Sequence, residues 1–152
     1  MPIMDSQLLF AEALDISDLT AYAAVNFTNV IDLGAIKDHK GNSIQHVINA
    51  GGQLALNIVV EDTALAGDGS TTVTFSLYDH TTATPWTGGR KAMEFTITVS
   101  ATNYPDGTQI CSLPLPAMKM NRYLGVTSLV AAGDLTAGAV TAWIGPVTVQ
   151  PV

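Results

Sequence analysis

The sequence predicts an all-β fold: an antiparallel β-sandwich, jelly-roll-like, with an irregular N-terminal arm. Three observations carry this. Five runs of alternating apolar and polar residues fill the second half: Thr71–Asp79, Met93–Ser100, Thr108–Leu115, Arg122–Val130 and Ala137–Val149. Turn residues close most of these runs, and a period of two buries one face of a strand while the other stays wet. No stretch of comparable length carries a helical period. The 152 residues fit one domain, 1–152, with the arm at 1–28 and the sandwich body at 29–152.

Each element follows from local chemistry. Residues 1–28 are the least regular. Leu8-Leu9-Phe10 is apolar, but Leu14, Ile16 and Leu19 follow no clean period. Asn29–Leu33 reads as a short strand and Gly34–Asn42, with Lys37, Asp38, His39 and Lys40, as a solvated loop. In Gln53–Val60, Leu54, Leu56, Ile58 and Val60 point one way. Leu65–Ser70 is turn chemistry, since Gly and Asp tolerate positive φ. Thr71–Asp79 sets Val73, Phe75 and Leu77 inward and Thr72, Thr74 and Ser76 outward, and β-branched residues suit a pleated surface. His80–Lys91 is a long loop with Pro85, Trp86 and Gly88-Gly89. Met93, Phe95, Ile97 and Val99 form the next inward row, and Tyr104-Pro105-Asp106-Gly107 a tight turn. Cys111, Leu113 and Leu115 form another row. Pro114 and Pro116 put that strand at an edge or end it, because proline cannot donate to a ladder. Leu124, Val126, Ser128 and Val130 alternate next. Gly133–Gly138 turns the chain, and Pro146 interrupts the last run. Seven or eight strands result, of jelly-roll or Greek-key kind; pairing order is not local information.

Composition narrows the function. Charged residues make up 12%, against a usual share of about 25%. A surface of Thr, Ser, Ala and Gly points to extensive contact with other protein. The net charge is −7, and the six basic residues are scattered, with none in the first 36. Nucleic-acid binders concentrate Lys and Arg, so DNA and RNA are poor partners. Anionic membrane is a poor partner for the same reason. The start has no basic n-region, so it does not read as a signal peptide. No apolar run nears the ~18 residues of a membrane span. The lone Cys111, inside a strand pattern, reads as a buried inert thiol in a reducing, cytosol-like setting.

The chain offers little for catalysis. His39, His46 and His80 stand at no metal-ligand spacing. Asp62, Asp68 and Asp79 flank one loop but match no calcium loop. Gly67-Asp68-Gly69-Ser70 lacks the lysine and helix of a phosphate loop. No nucleophile has a base suggested beside it. The expectation is no enzyme, no metal and no cofactor. The candidate interface residues are Leu8, Leu9, Phe10, Trp86 and Trp143. Trp86 either anchors a partner or folds back and caps one end of the sandwich. Trp143 is core or an oligomer contact. Leu8-Leu9-Phe10 either docks on a neighbour or closes the sandwich as an edge strand.

A set of segments carries a resemblance: MDSQLLF (Met4–Phe10), TNVIDLG (Thr28–Gly34), LALNIVVE (Leu54–Glu61), TVTFSLYD (Thr72–Asp79), LPLP (Leu113–Pro116), NRYLGV (Asn121–Val126) and GDLTAGAVTAWI (Gly133–Ile144). In this order, over nearly the whole chain, they resemble the capsid cement (decoration) proteins of a group of tailed bacteriophages, first described from a Bordetella phage. The resemblance implies a jelly-roll-like fold and a homo-oligomer, dimer or trimer. It also implies a place on the outer surface of an icosahedral head, bridging copies of the major capsid protein, after synthesis in the host cytoplasm. It carries over no catalytic residues. The His80–Lys91 loop and the basic loop around Lys37–Lys40 depart from the family pattern. The alternative is a carbohydrate- or receptor-binding β-sandwich module of a phage particle, with Trp86 and Tyr104 as its candidate aromatics.

Overall fold

The computed structural model describes residues 8–17, 22–49, 52, 54–100 and 104–147. Eight of the nine strands of the two main sheets form their backbone: β1 (Leu9–Asp15), β2 (Ala24–Asn26), β7 (Leu54–Val60), β9 (Thr71–His80), β10 (Arg90–Val99), β11 (Gln109–Pro114), β13 (Tyr123–Ala131) and β15 (Ala139–Pro146). One sheet runs β1-β15-β7-β11. The other runs β10-β9-β13-β2, with the two-residue β3 (Ile31–Asp32) also on β13. Short two-stranded pieces complete the described fold: β4 (Ile36–Lys37) with β5 (Ser43–Ile44), β6 (His46–Ile48) with β12 (Met118–Met120), and β8 (Ala66–Gly67) with β14 (Leu135–Ala137).

The pairing order answers what the pattern left open. β1 pairs β15, β2 pairs β13, β7 pairs β11 and β9 pairs β10, all antiparallel. First meets last, second meets second-last, and so inward: one long hairpin rolled on itself. That nesting is the jelly roll.

The inward rows form the core. Leu56, Ile58 and Val60 of one sheet face Val73, Phe75, Leu77, Leu124, Val126 and Val130 of the other, all fully buried. Phe75 meets Phe27 edge-on at 6.3 Å and stacks on Phe95 at 5.3 Å between centroids, both favoured aromatic geometries.

Several expectations need correction. The described parts of the stretch read as an arm, 1–28, belong to the sandwich, while 1–7 and 18–21 lie outside the described residues. β1 is an edge strand and Phe10 a core residue with no exposure. The register with β15 shifts twice within β1, and Ala13 sits at φ 43°. Those irregularities erase the period of two. The Gly34–Asn42 loop contains β4, and the Gly133–Gly138 turn contains β14. Met93, Phe95 and Ile97 are only half-buried, and Leu113 is exposed. β10 and β11 are sheet edges, so their inward side chains reach the rim. The β11 edge, closed by Pro114, is where the proline argument places it.

Candidate functional site

The five candidate interface residues are not brought to one place. Phe10 points into the core, and Leu8 packs against it. Leu9 stands opposite Trp143 in the β1–β15 register, on the outer face of that sheet. Trp143 in turn opposes Asn57, whose side-chain Oδ1 accepts a 2.7 Å hydrogen bond from the Ser112 hydroxyl. Leu9, Trp143, Asn57 and Ser112 thus form one row across four strands.

Trp86 lies on the opposite outer face. Its loop folds back so that a Cβ at Gly125 of β13 would stand 2.4 Å from Pro85 Cγ and 3.0 Å from the Trp86 ring. Only glycine lets the loop seat there. Gly89 closes the same loop with no room to spare: a Cβ would fall 1.8 Å from the Pro85 carbonyl oxygen. The loop folds back onto the outer face of the sheet rather than over an end of the sandwich, and Trp86 stays half-buried there. Tyr104 follows the far end of β10, ten strand residues away, about 30 Å at 3.2–3.4 Å per residue. Trp86 and Tyr104 therefore form no common sugar-stacking platform.

The reactive side chains are held in structural roles. Asp79 has no exposed surface. It takes Arg90 Nε and Nη2 at 2.9 Å each and the Asn121 N–H at 2.7 Å. Asp68 staples two loops: the Ser70 N–H (2.9 Å) donates to its carboxylate, the Thr71 hydroxyl shares its one proton between that carboxylate (2.8 Å) and the Asp134 carbonyl (3.0 Å), and Ser70 Oγ lies 3.0 Å from the Ala132 carbonyl. The Ser70 N–H, followed by the Thr71 hydroxyl, holds the Asp68 carboxyl below the usual aspartate value. Burial pushes the Cys111 thiol up to about 11, so it is neutral near pH 7. His80 Nδ1 is engaged by Thr82 of its own loop. Among the described residues no group of three His, Cys, Asp or Glu side chains converges. No helix there is long and apolar enough to cross a membrane.

One cleft, of about 280 Å³, opens where the β4–β5 hairpin meets the start of β13. Ile36 and Ile44 lie on it with Gln45, His46, Asn121 and Arg122. The register sets Ile36 directly opposite Ile44. His46 Nε2 donates to the Gly34 carbonyl at 2.8 Å, and Gln45 reaches Asn121 at 3.1 Å, tying the hairpin to the body. Arg122 holds Asp32 with two 2.6 Å bonds and lies 4.8 Å over the Tyr123 ring. That hydrogen-bonded guanidinium lowers the Asp32 carboxyl's pKa. The arrangement provides shape and charge, not a nucleophile with its base.

Comparison with known families decides the chain's lineage. The Bbp16 family model matches residues 14–144, from β1 to β15. The chain belongs to the Bbp16 family. Bbp16 is the name of a Bordetella phage protein, so this Bbp16-family chain is a phage-associated protein. No curated protein sequence matches it.

Proposed function

We propose that this Bbp16-family protein is a structural component of the virion. It binds the outer surface of an icosahedral phage head and cements neighbouring copies of the major capsid protein. The observation that carries this reading is the family match over nearly the whole jelly roll. Its mechanism is adhesion without chemistry. A rigid body engages several capsid subunits at once, and each further contact forms at high effective concentration, so net avidity exceeds a single affinity by ~10²–10⁴. Loosening of one contact under the push of packaged DNA leaves the others in place.

The protein acts as a homo-oligomer, and the sheet edges support this. β2 has three residues, β1 is broken by register shifts and β11 ends in proline. Such features blunt an edge against pairing. β10 has ten residues, no proline and one register shift near its start. It is the edge left open to a second copy. Sedimentation velocity of the purified protein tests this: Thr96→Lys, at an exposed position of that edge, is expected to shift the oligomer towards monomer with the fold intact.

The central test uses heads of the cognate phage that lack this protein. Purified protein is expected to co-sediment with expanded heads and to raise their resistance to heating. It should bind unexpanded shells far more weakly, because the site is made in the mature lattice. No binding to expanded heads would refute the assignment.

A further inference from the structure

The cations of this chain are distributed unevenly. Arg90, Lys91 and Arg122 are each matched by a carboxylate: Asp79, Glu94 and Asp32. No ion pair among the described residues engages the other three, Lys37, Lys40 and Lys119, and all three are exposed. They are distant in sequence but lie on two strand pairs that follow one another along the chain, β4–β5 and β6–β12. Lys37 and Lys40 belong to the β4–β5 hairpin, and Lys119 lies on β12 opposite Val47 of β6. The one carboxylate of the hairpin, Asp38, is taken up by the hairpin itself, through Lys40 N–H, Asn42 N–H and Asn42 Nδ2.

The same strand pairs carry exposed aliphatic surface. Ile36 is 42% exposed, Ile44 48% and Val47 63%. Ile36 and Ile44 form a cross-strand pair on the cleft of about 280 Å³. A two-stranded hairpin is marginal by itself in water, yet this one presents its apolar pair outward. Exposed lysines on the same strand pairs as exposed aliphatic side chains, on a chain whose net charge is −7, are the pattern of a protein interface rather than of a solvated loop.

We propose that these two strand pairs, carrying Ile36, Ile44 and Val47 together with Lys37, Lys40 and Lys119, form a docking surface for an acidic, aliphatic-bearing segment of a partner protein. Charge complementarity selects that partner. A second copy of this acidic chain would bring the same three unmatched lysines against each other if it docked through the same face. An anionic membrane or nucleic acid would meet the strongly negative remainder of the body. The inference rests on the head-binding reading, in which the partner is the capsid protein. The lysines steer and orient the encounter, while the aliphatic side chains lose water on contact.

The test compares the wild type, Lys37→Glu/Lys40→Glu/Lys119→Glu, and Thr136→Glu, whose exposed site lies on β14, away from the hairpin. Binding to expanded heads lacking this protein is measured by co-sedimentation at two salt concentrations. The triple variant is expected to bind about tenfold or more weakly and to lose most of the salt dependence, while Thr136→Glu binds like the wild type. Hydrogen exchange of the bound wild type provides a readout that needs no variant: amides of 36–47 and 118–120 should slow. A triple variant that binds as tightly as the wild type, or unchanged exchange at those amides, overturns this surface and leaves head binding standing. A wild type that does not bind heads overturns both.

Discussion

Ser128 is an anomaly at the scale of single side chains. It stands in the inward row of β13, fully buried, and its hydroxyl finds no hydrogen-bond partner among the described residues. An unsatisfied buried polar group costs about 1–3 kcal/mol. Ser128→Ala should therefore stabilise the protein by roughly 1 kcal/mol, seen as a higher urea midpoint with unchanged slope. Asp79 shows the opposite case, a buried carboxylate with a full set of donors. Arg90 is half-exposed and Asp79 is not, so the two ends of this pair are not equivalent. Removing the arginine strands a buried charge, whereas removing the aspartate releases a cation that water can reach. Arg90→Met should cost about 2–3 kcal/mol, below the 3–5 kcal/mol of a wholly buried pair. Asp79→Asn should cost less, and equilibrium denaturation of both variants checks the order.

At the scale of elements, the 81–89 loop and β13 depend on one missing Cβ. Gly125→Ala should expel Pro85 and Trp86 from the outer face, at a cost of about 1–3 kcal/mol for overpacking. In a Trp143→Phe background, Trp86 emission should shift to the red; an unchanged spectrum would mean that the loop does not rest on Gly125. Element by element, legibility tracked length and regularity. β9 is long and unbroken, and its inward row Val73, Phe75, Leu77 was readable as written; β13 is nearly as long, but both its faces are fairly apolar, so the alternation of Leu124, Val126, Ser128 and Val130 did not mark the buried face. β4, β5, β6, β12 and β14 have two or three residues each, too few to display a period. β1 was hidden for a different reason: its register shifts and the positive φ of Ala13 scramble the alternation.

For the whole molecule, closure depends on pairing the first strand with the last, so the sandwich is complete only when the entire chain is in place. Folding governed by such distant pairings is slow, in the range of milliseconds to seconds. Strand ends and loops carry four aspartates held below the usual value: Asp32 by Arg122, Asp15 and Asp38 by the side chains of Ser17 and Asn42, and Asp68 by the Ser70 N–H. Each has a folded pKa below its unfolded one, so its contribution is complete above about pH 4 and is lost as pH falls through the folded value. The melting temperature should be flat from pH 8 to pH 5 and fall below pH 4. Asp68→Asn should flatten part of that fall, and an unchanged acid limb would remove Asp68 from the account.

The amino-acid order by itself determined the all-β class, the inward row of β9, the choice of an edge or an end for the proline-bearing strand and the resemblance to phage cement proteins, because each is written in neighbouring residues. Only the tertiary structure decided the nested pairing, the inclusion of β1, the fold-back of the Trp86 loop and the placing of Lys119 opposite Val47, on the strand pair that follows the Lys37–Lys40 hairpin. Those depend on which distant segments meet, and a strand's pattern specifies the face it buries, not the neighbour it takes.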